Sequence, residues 1–333
     1  MKIEIRASKP YFIHLGKGIA SSIPSLCPSF RNTLILTDSG VPYSYAESLA
    51  NRIPSSRIFV FPQGEKSKCK ETYFDVLTCL AEAHFSRNDC LIAVGGGVVG
   101  DLGGFVASTY MRGIAFYNVP TTLLSMVDSS IGGKTGIDFG GYKNIVGSFY
   151  PPRGVFIDPN YLDTLDARQY GAGFAEILKM AATLDGEFFS MLENEELPIE
   201  TLIEKALLLK KGVVEQDEKE SGLRKVLNFG HTLGHAYESC SNGALLHGEA
   251  VGLGMLPFSS PEVRSPIRAI LKKHHLPTDV ALPLNSIEEA IRHDKKGDGD
   301  TVDAVFCPKP GKFEILPRSI QEILSLHQEV YHE

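Results

Sequence analysis

The stretch CLIAVGGGVVGD at residues 90–101 constrains the fold more than any other. A short β-rich run of apolar residues passes straight into three glycines, and a helix-compatible LGGFVAST follows. A strand that turns at once into a helix opens a crossover unit, and crossover units build parallel sheets. Neighbouring segments agree: TLIL at 33–36, RIFVF at 57–61 and IAFYNV at 114–119 are short, β-rich and bounded by turn residues. Residues 67–82 carry apolar side chains near helical spacing, and the opening MKIEIRASKP alternates like one more strand.

The same glycines bear on chemistry. Gly95, Gly96 and Gly97 let the backbone approach an anion closely, and the helix that follows presents free N–H groups and the positive end of its dipole. The string satisfies G-x-G-x-x-G. No acidic residue lies between Asp101 and Asp128 to take a ribose, however, and other strands precede the loop. It therefore reads as a phosphate cradle outside the standard first turn, with a tight structural turn as the alternative.

The second half changes character. From Tyr170 onward helical patterns occupy 173–192, 199–216, 233–239, 248–256 and 264–273, and strands are expected only at 302–306 and 312–316. The shift between Pro152 and Asp166 sets the expected boundary: an α/β nucleotide-binding domain over 1–165, then a mainly α-helical domain over 166–333. A length of 333 residues suits about two domains. DKKGDGD at 294–300 lacks the residue order of a calcium loop.

Charge and cysteine usage exclude several classes. Lys and Arg number 33 against 40 Asp and Glu, a net charge of −7, which argues against nucleic acid or an anionic membrane as partner. No signal peptide or run of 18 apolar residues is visible, and the six cysteines are scattered without a C-x-x-C pair. Buried, reduced thiols in a cytoplasmic protein are expected.

Two groups of residues carry candidate chemistry. Residues 119–148 gather Thr121, Thr122, Asp128, Ser129, Ser130, Lys134, Lys143 and Asn144 on a glycine-rich backbone, which suits an anionic substrate. A solvated polar loop is the alternative, and the flanking PTTLLSMV and IVGSFY argue against full exposure. In the helical half, Glu176 sits in the apolar GAGFAEILKMAATL with Lys179 three positions on; His231 and His235 are spaced i, i+4; His247 opens an apolar helix. Neutral imidazoles with one carboxylate make a Zn²⁺ set that keeps a position open for substrate. HTLGH lacks the general-base Glu of a zincin. Glu238 and Glu249 compete with Glu176 as the carboxylate, and spacing does not choose among them.

Read jointly, GEKSK at 64–68, GGGVVGDLGGF, the arginine of YMRG, VPTTLLSMVDSSIGGKTGID, YKNIVGSFYPP, FAEILKM, LRKVLNFGHTLGHAYE and LLHGEAV resemble the 3-dehydroquinate synthase family of sugar phosphate cyclases over about residues 37–316. The resemblance implies a cytoplasmic homodimer that uses NAD and one divalent metal, Zn or Co, per subunit. The reaction converts 3-deoxy-D-arabino-heptulosonate 7-phosphate to 3-dehydroquinate and phosphate, the second step of the shikimate pathway. Oxidising carbon 5 acidifies the carbon 6 proton, phosphate leaves by β-elimination, the hydride returns, and an intramolecular aldol closes the ring.

Carried over by position, the resemblance makes Glu176, His231 and His247 the metal ligands and His235 a non-ligand site residue. Lys134, Lys179, His235, Asn228 and Asp128 are the implied catalytic group. Arg112, Lys143, Asn144, Lys210, Arg224 and one of Lys295 or Lys296 would hold substrate, with Arg112 reaching across the dimer. Asp38, Glu65, Lys68, Gly95, Gly96, Gly97, Asp101, Thr121, Thr122, Lys134, Lys143 and Thr164 would hold NAD. Another sugar phosphate cyclase, a metal-dependent polyol dehydrogenase and a non-catalytic NAD-binding protein are the rivals. Lys210, Arg224 and the DKK sequence favour a carboxylate-bearing substrate. One departure stands out: the segment after HGEAVGLGM is shorter than usual and carries Pro257 and Pro261, which implies a trimmed helical layer.

Overall fold

The computed structural model describes residues 1–294 and 301–331. The chain divides into two compact units, Met1–Leu165 and Asp166–Glu333.

The first unit holds β1 (Lys2–Ile5), β2 (Tyr11–Leu15), α1 (Ile23–Leu26), β3 (Thr33–Asp38), α2 (Tyr43–Ala50), β4 (Ser56–Phe61), α3 (Lys70–Glu82), β5 (Cys90–Gly95), α4 (Gly97–Thr109), β6 (Ala115–Pro120), β7 (Lys134–Phe139), β8 (Tyr142–Phe149) and β9 (Gly154–Ile157). Seven strands form one sheet in the order β1-β2-β9-β6-β5-β3-β4, parallel except for the β1–β2 pair. Every residue of β3, β5, β6 and β9 is buried, because both faces of the sheet are covered. Strand alternation sends Leu34, Leu36, Leu91 and Ala93 to the face packed by Leu102, Phe105 and Val106 of α4. It sends Ile35, Ile92 and Val94 to the opposite face, against Ala46 and Leu49 of α2.

Strand order locates where a ligand fits. After β3 the chain places β4 on one side, and β5 then returns to the other side. The carboxyl ends of β3 and β5 thus border a topological switch point, where open α/β sheets leave a crevice. Asp38 ends β3 and Gly95 ends β5.

Strands β7 and β8 form a separate antiparallel hairpin. The flanking apolar residues predicted partial burial of this region, yet residues 142–147 are all exposed. The hairpin lies outside the main sheet and buries β7 only at Gly136 and Ile137, so β8 has no covering layer within this unit.

The second unit contains α5 (Ala167–Leu184), α6 (Gly186–Asn194), α7 (Ile199–Gln216), α8 (His231–Cys240), α9 (His247–Met255), α10 (Pro261–Lys273), α11 (Leu284–Asp294), β10 (Thr301–Phe306), β11 (Glu314–Ser319) and α12 (Ile320–Tyr331). The single helix expected at 173–192 is two helices. Asp185 takes extended backbone between them, and its side chain caps α6 by accepting from the Phe188 N–H at 2.9 Å. After α9 the chain runs almost directly into α10, whose first helical residue is Pro261, a position where the missing N–H carries no penalty. No helix among the described residues is long and apolar enough to cross a membrane. Cys90 and Cys307 are buried, whereas the other four cysteines are half-buried, and all are free thiols.

Helix α9 is held at backbone contact. A Cβ on Gly254 would lie 2.0 Å from the Gly230 carbonyl oxygen, and one on Gly248 would lie 1.9 Å from the Ala172 oxygen of α5. Neither obstacle is a side chain that could turn away. Gly254→Ala should therefore destabilise the protein by about 2 kcal/mol or more in chemical denaturation, the scale of overpacking a closed core. A midpoint unchanged from wild type would refute this close packing.

Candidate active site

In the first unit, the switch point gathers several of the residues singled out from sequence. Thr121 follows β6, and its N–H donates to the Gly95 carbonyl at 2.9 Å. A Cβ on Gly96 would meet Thr122 at 3.1 Å, and one on Gly97 would meet the Ser129 hydroxyl at 3.3 Å, so Thr122 and Ser129 stand over the glycine loop. Asp38 turns its Oδ1 onto the N–H groups of Gly40 (2.8 Å) and Val41 (3.2 Å), and burial pushes its carboxyl above the usual range. Asp128 lies in a π-helical turn over Ser125–Ser129, a local geometry frequent at functional sites.

Beside this loop the Lys68 ammonium, almost fully buried, faces three carboxylates: Glu65 Oε1 at 2.5 Å, Asp101 Oδ2 at 3.5 Å and Asp138 Oδ1 at 3.8 Å. Burial alone would lower the lysine, but Asp101, Glu65 and Asp138 overcome it and hold the ammonium above its ordinary value. Asp101 is pushed up to about 7 by burial, against the pull of Lys68. Glu65, Lys68 and Asp101 were expected at the site from sequence; Asp138 was not.

The remaining residues of this unit are more open. Lys134 opens β7, and Lys143 and Asn144 sit on β8, all exposed. Arg112 is also exposed and holds a left-handed φ of 63°, directly after Met111 at 51°. Thr164 shares a hydrogen bond of 2.8 Å with the Tyr45 hydroxyl.

The second unit assembles a carboxylate–imidazole centre. Glu176 and Lys179 lie one turn apart on α5, 0% and 1% exposed, with the ammonium paired to Glu176 Oε2. Helices α8 and α9 bring two imidazoles to the other oxygen: His247 Nε2 is 3.5 Å and His231 Nε2 is 3.8 Å from Glu176 Oε1. The far nitrogen of each ring is engaged. His231 Nδ1 lies 3.1 Å from the Phe229 carbonyl, and His247 Nδ1 lies 3.0 Å from Glu238 Oε2. Both Nε2 atoms are thereby aimed at one point. His235 joins the cluster: ligand atoms of His231, His235 and His247 lie within 4.8 Å of one another.

This donor set fits a divalent metal. Neither oxygen of Glu176 accepts a hydrogen bond of regular geometry, although both are buried. The donor atoms stand at separations close to the roughly 3.3 Å edge that ligand bonds of about 2.0–2.1 Å give in a tetrahedron. In the metal-free protein burial would raise the Glu176 carboxyl, but Lys179, His247 and His231 hold it well below the carboxylate range. Burial, with Lys179 beside it, holds His231 well below its ordinary value, which keeps it in the neutral form a metal takes.

The competing carboxylates are otherwise engaged. Glu249 caps the start of α9, accepting from the Leu246 N–H at 2.7 Å, and pairs with Arg168. Glu238 stands behind His247.

The buried cations Lys210 and Arg224 lie in this unit, and Lys295 and Lys296 fall outside the described residues. Arg224 is fixed by a loop that sequence reasoning missed. The Asp217 carboxylate accepts from the N–H groups of Gly222 (2.7 Å), Ser221 (2.9 Å) and Arg224 (3.0 Å), with the Arg224 N–H foremost in holding it well below the carboxylate range. The same loop carries Glu220 at a φ of 61°, accepting from the Asn228 amide at 2.9 Å. Only the turn-forming Asp217, Ser221 and Gly222 signalled it in the sequence.

The family models for the 3-dehydroquinate synthase N-terminal and C-terminal regions match residues 58–172 and 173–297. The chain belongs to the 3-dehydroquinate synthase family. The 3-dehydroquinate synthase of Latilactobacillus sakei is 39% identical over 328 residues, covering 93% of this chain and 92% of its own. That of Enterococcus faecalis strain OG1RF is 43% identical over 314 residues, covering 88% of each. Among solved structures, a 2-deoxy-scyllo-inosose synthase complexed with carbaglucose-6-phosphate, NAD⁺ and Co²⁺ superposes with a TM-score of 0.89 at 28% identity, over 99% of this chain and 100% of its own. A 2-epi-5-epi-valiolone synthase from Streptomyces hygroscopicus with NAD⁺ and Zn²⁺ bound gives 0.88 at 26% identity, over 99% of both. Full-length likeness to 3-dehydroquinate synthases at about 40% identity sets the function as that of this family and removes the non-catalytic rival.

The raised Asp101 carboxyl has a consequence for stability. A carboxyl with its folded value above its unfolded one contributes stability at low pH and loses it as pH rises through the folded value. The window here runs from about 4 to about 7. Asp101→Asn should therefore gain more stability over wild type at pH 8 than at pH 5, where only part of that window has been crossed, read as the change in Tm difference between the two pH values. An equal difference at both would show that Asp101 ionises without penalty.

Proposed function

We propose that this chain carries out the 3-dehydroquinate synthase reaction with NAD held by its N-terminal unit and one divalent metal held by its C-terminal unit. Residues 1–165 and 166–333 are assigned these roles. The observation that carries the reading is the buried Glu176 carboxylate with two imidazole Nε2 atoms converging on it. Support comes from the NAD⁺ and Co²⁺ or Zn²⁺ in the two cyclases of similar fold.

Glu176, His231 and His247 would hold the metal, which when bound supplies a Lewis acid that favours the alkoxide at carbon 5. Asp38, Gly95 to Gly97, Thr121, Thr122, Thr164 and the Glu65–Lys68–Asp101 cluster would hold NAD, which when bound supplies a reversible hydride acceptor. Lys179, Asn228 and Asp128 then orient the reacting hydroxyls, and His235 moves a proton at one of them. Lys210 and Arg224, both buried, would bind an anionic end of the substrate, and Lys134, Lys143 and Asn144 of the first unit would bind an anionic or hydroxyl group of it. The exposed Arg112 serves a neighbouring copy in a homodimer. These cations account for capture of a multiply charged sugar acid by a protein of net charge −7.

Phosphate release from 3-deoxy-D-arabino-heptulosonate 7-phosphate, with product coupled to dehydroquinase, tests the reading. Release should need NAD⁺, stop on chelation, return with Zn²⁺ or Co²⁺, and leave no net NADH. Glu176→Ala and His247→Ala should lose bound metal and activity together. No release from folded, metal-loaded protein would sink the assignment, and turnover of a heptulose or hexose phosphate lacking a carboxylate would shift it to another cyclase. His235→Ala should keep its metal by elemental analysis while turnover falls by about 10² or more. Loss of metal in that variant would make His235 a ligand.

A further inference from the structure

We infer that Asp138 is a positioning residue that sets the place of Asn144 and Lys143 in the substrate site. This rests on the reading above that Lys68 and the pair Lys143 and Asn144 face NAD and substrate.

The β7–β8 ladder is regular from Lys134↔Phe149 to Ile137↔Val146 and resumes only at Phe139↔Tyr142. Between those pairs the single Asp138 on β7 faces residues 143–145 on β8. The surplus residues leave the ladder, and Asn144 takes a left-handed φ of 53°. A bulge of this kind re-aims side chains and leaves backbone groups without ladder partners. Asp138 supplies the missing acceptor: its Oδ1 takes the Asn144 N–H at 2.8 Å. The Asp138 N–H in turn donates to the Lys68 carbonyl at 2.8 Å, and the same Oδ1 stands 3.8 Å from the Lys68 ammonium. One residue thus ties the bulged strand to the segment bearing Lys68 through its main chain and its carboxylate together. Among the described residues the Asp138 carboxylate is the side chain that accepts from the Asn144 N–H, so it anchors the left-handed turn there.

The test is a KM-against-kcat comparison in the full-length, metal-loaded enzyme with NAD⁺ saturating. Asp138→Ala should raise KM for the heptulosonate phosphate roughly tenfold, the order that a displaced binding group costs, with a smaller change in kcat. Asp138→Asn keeps an oxygen for the Asn144 N–H and should restore KM to within about twofold of wild type. In an Asn144→Ala background, Asp138→Ala should add little, because both act through one position. A purely structural role would instead lower the active fraction, seen as reduced kcat at unchanged KM with a lower Tm. That pattern, or a KM unchanged in Asp138→Ala, or no rescue by Asp138→Asn, would overturn the inference. If Asn144→Ala alone leaves KM unchanged, the assignment of Asn144 to the substrate site fails first, and the inference falls with it.

Discussion

A carboxylate with no access to water must be compensated from within the protein, and Glu176 organises the second unit around that need. Uncompensated, such a charge costs several kcal/mol. Lys179 meets one oxygen from the same helix, because an i, i+3 spacing places both on one face. The other oxygen is met by residues from α8 and α9. Those helices reach it because glycines at 230, 248 and 254 remove the side chains that would hold the backbones apart. Close packing and charge compensation are thus one arrangement: separating α9 from α5 would strand Glu176 as well as open the core.

The first unit solves the inverse problem. There one buried ammonium faces three carboxylates, so the cluster holds more negative charge than it neutralises. Burial leaves Asp101 to hold its proton up to about pH 7, which relieves part of the excess. Lys68 is locked in place by the same surplus, next to a glycine loop whose N–H groups favour an anion. Rigidity at the cluster and openness at the β7–β8 hairpin coexist within a few residues, and Asp138 belongs to both.

Much of the framework was legible in the amino-acid order. The buried strands β3, β5 and β6 announce themselves as short apolar runs, and the turn from β5 into α4 is written in three consecutive glycines. Helix α7 coincides with its apolar periodicity over Ile199–Gln216. The break at Asp185 escaped because apolar spacing continues through it; the capping bond to Phe188 is a local choice that periodicity does not register. Hairpin β7–β8 escaped because its glycines and its bulge blur the two-residue alternation by which strands are recognised.

By itself the sequence determined the fold class, the glycine cradle and the set of histidines and carboxylates from which a metal centre could be drawn, since these follow from local spacing and residue chemistry. Spacing did not decide between Glu176, Glu238 and Glu249, and only the family resemblance implied Glu176. Tertiary structure separated them, turning Glu249 to a helix cap, Glu238 to the back of His247 and Glu176 to the point where two Nε2 atoms converge. It also raised Asp138, Asp217 and Glu220 from ordinary acidic residues to partners of Asn144, Arg224 and Asn228. The physical reason is that a carboxylate's role depends on which donors surround it, and those donors come from segments that only folding brings together.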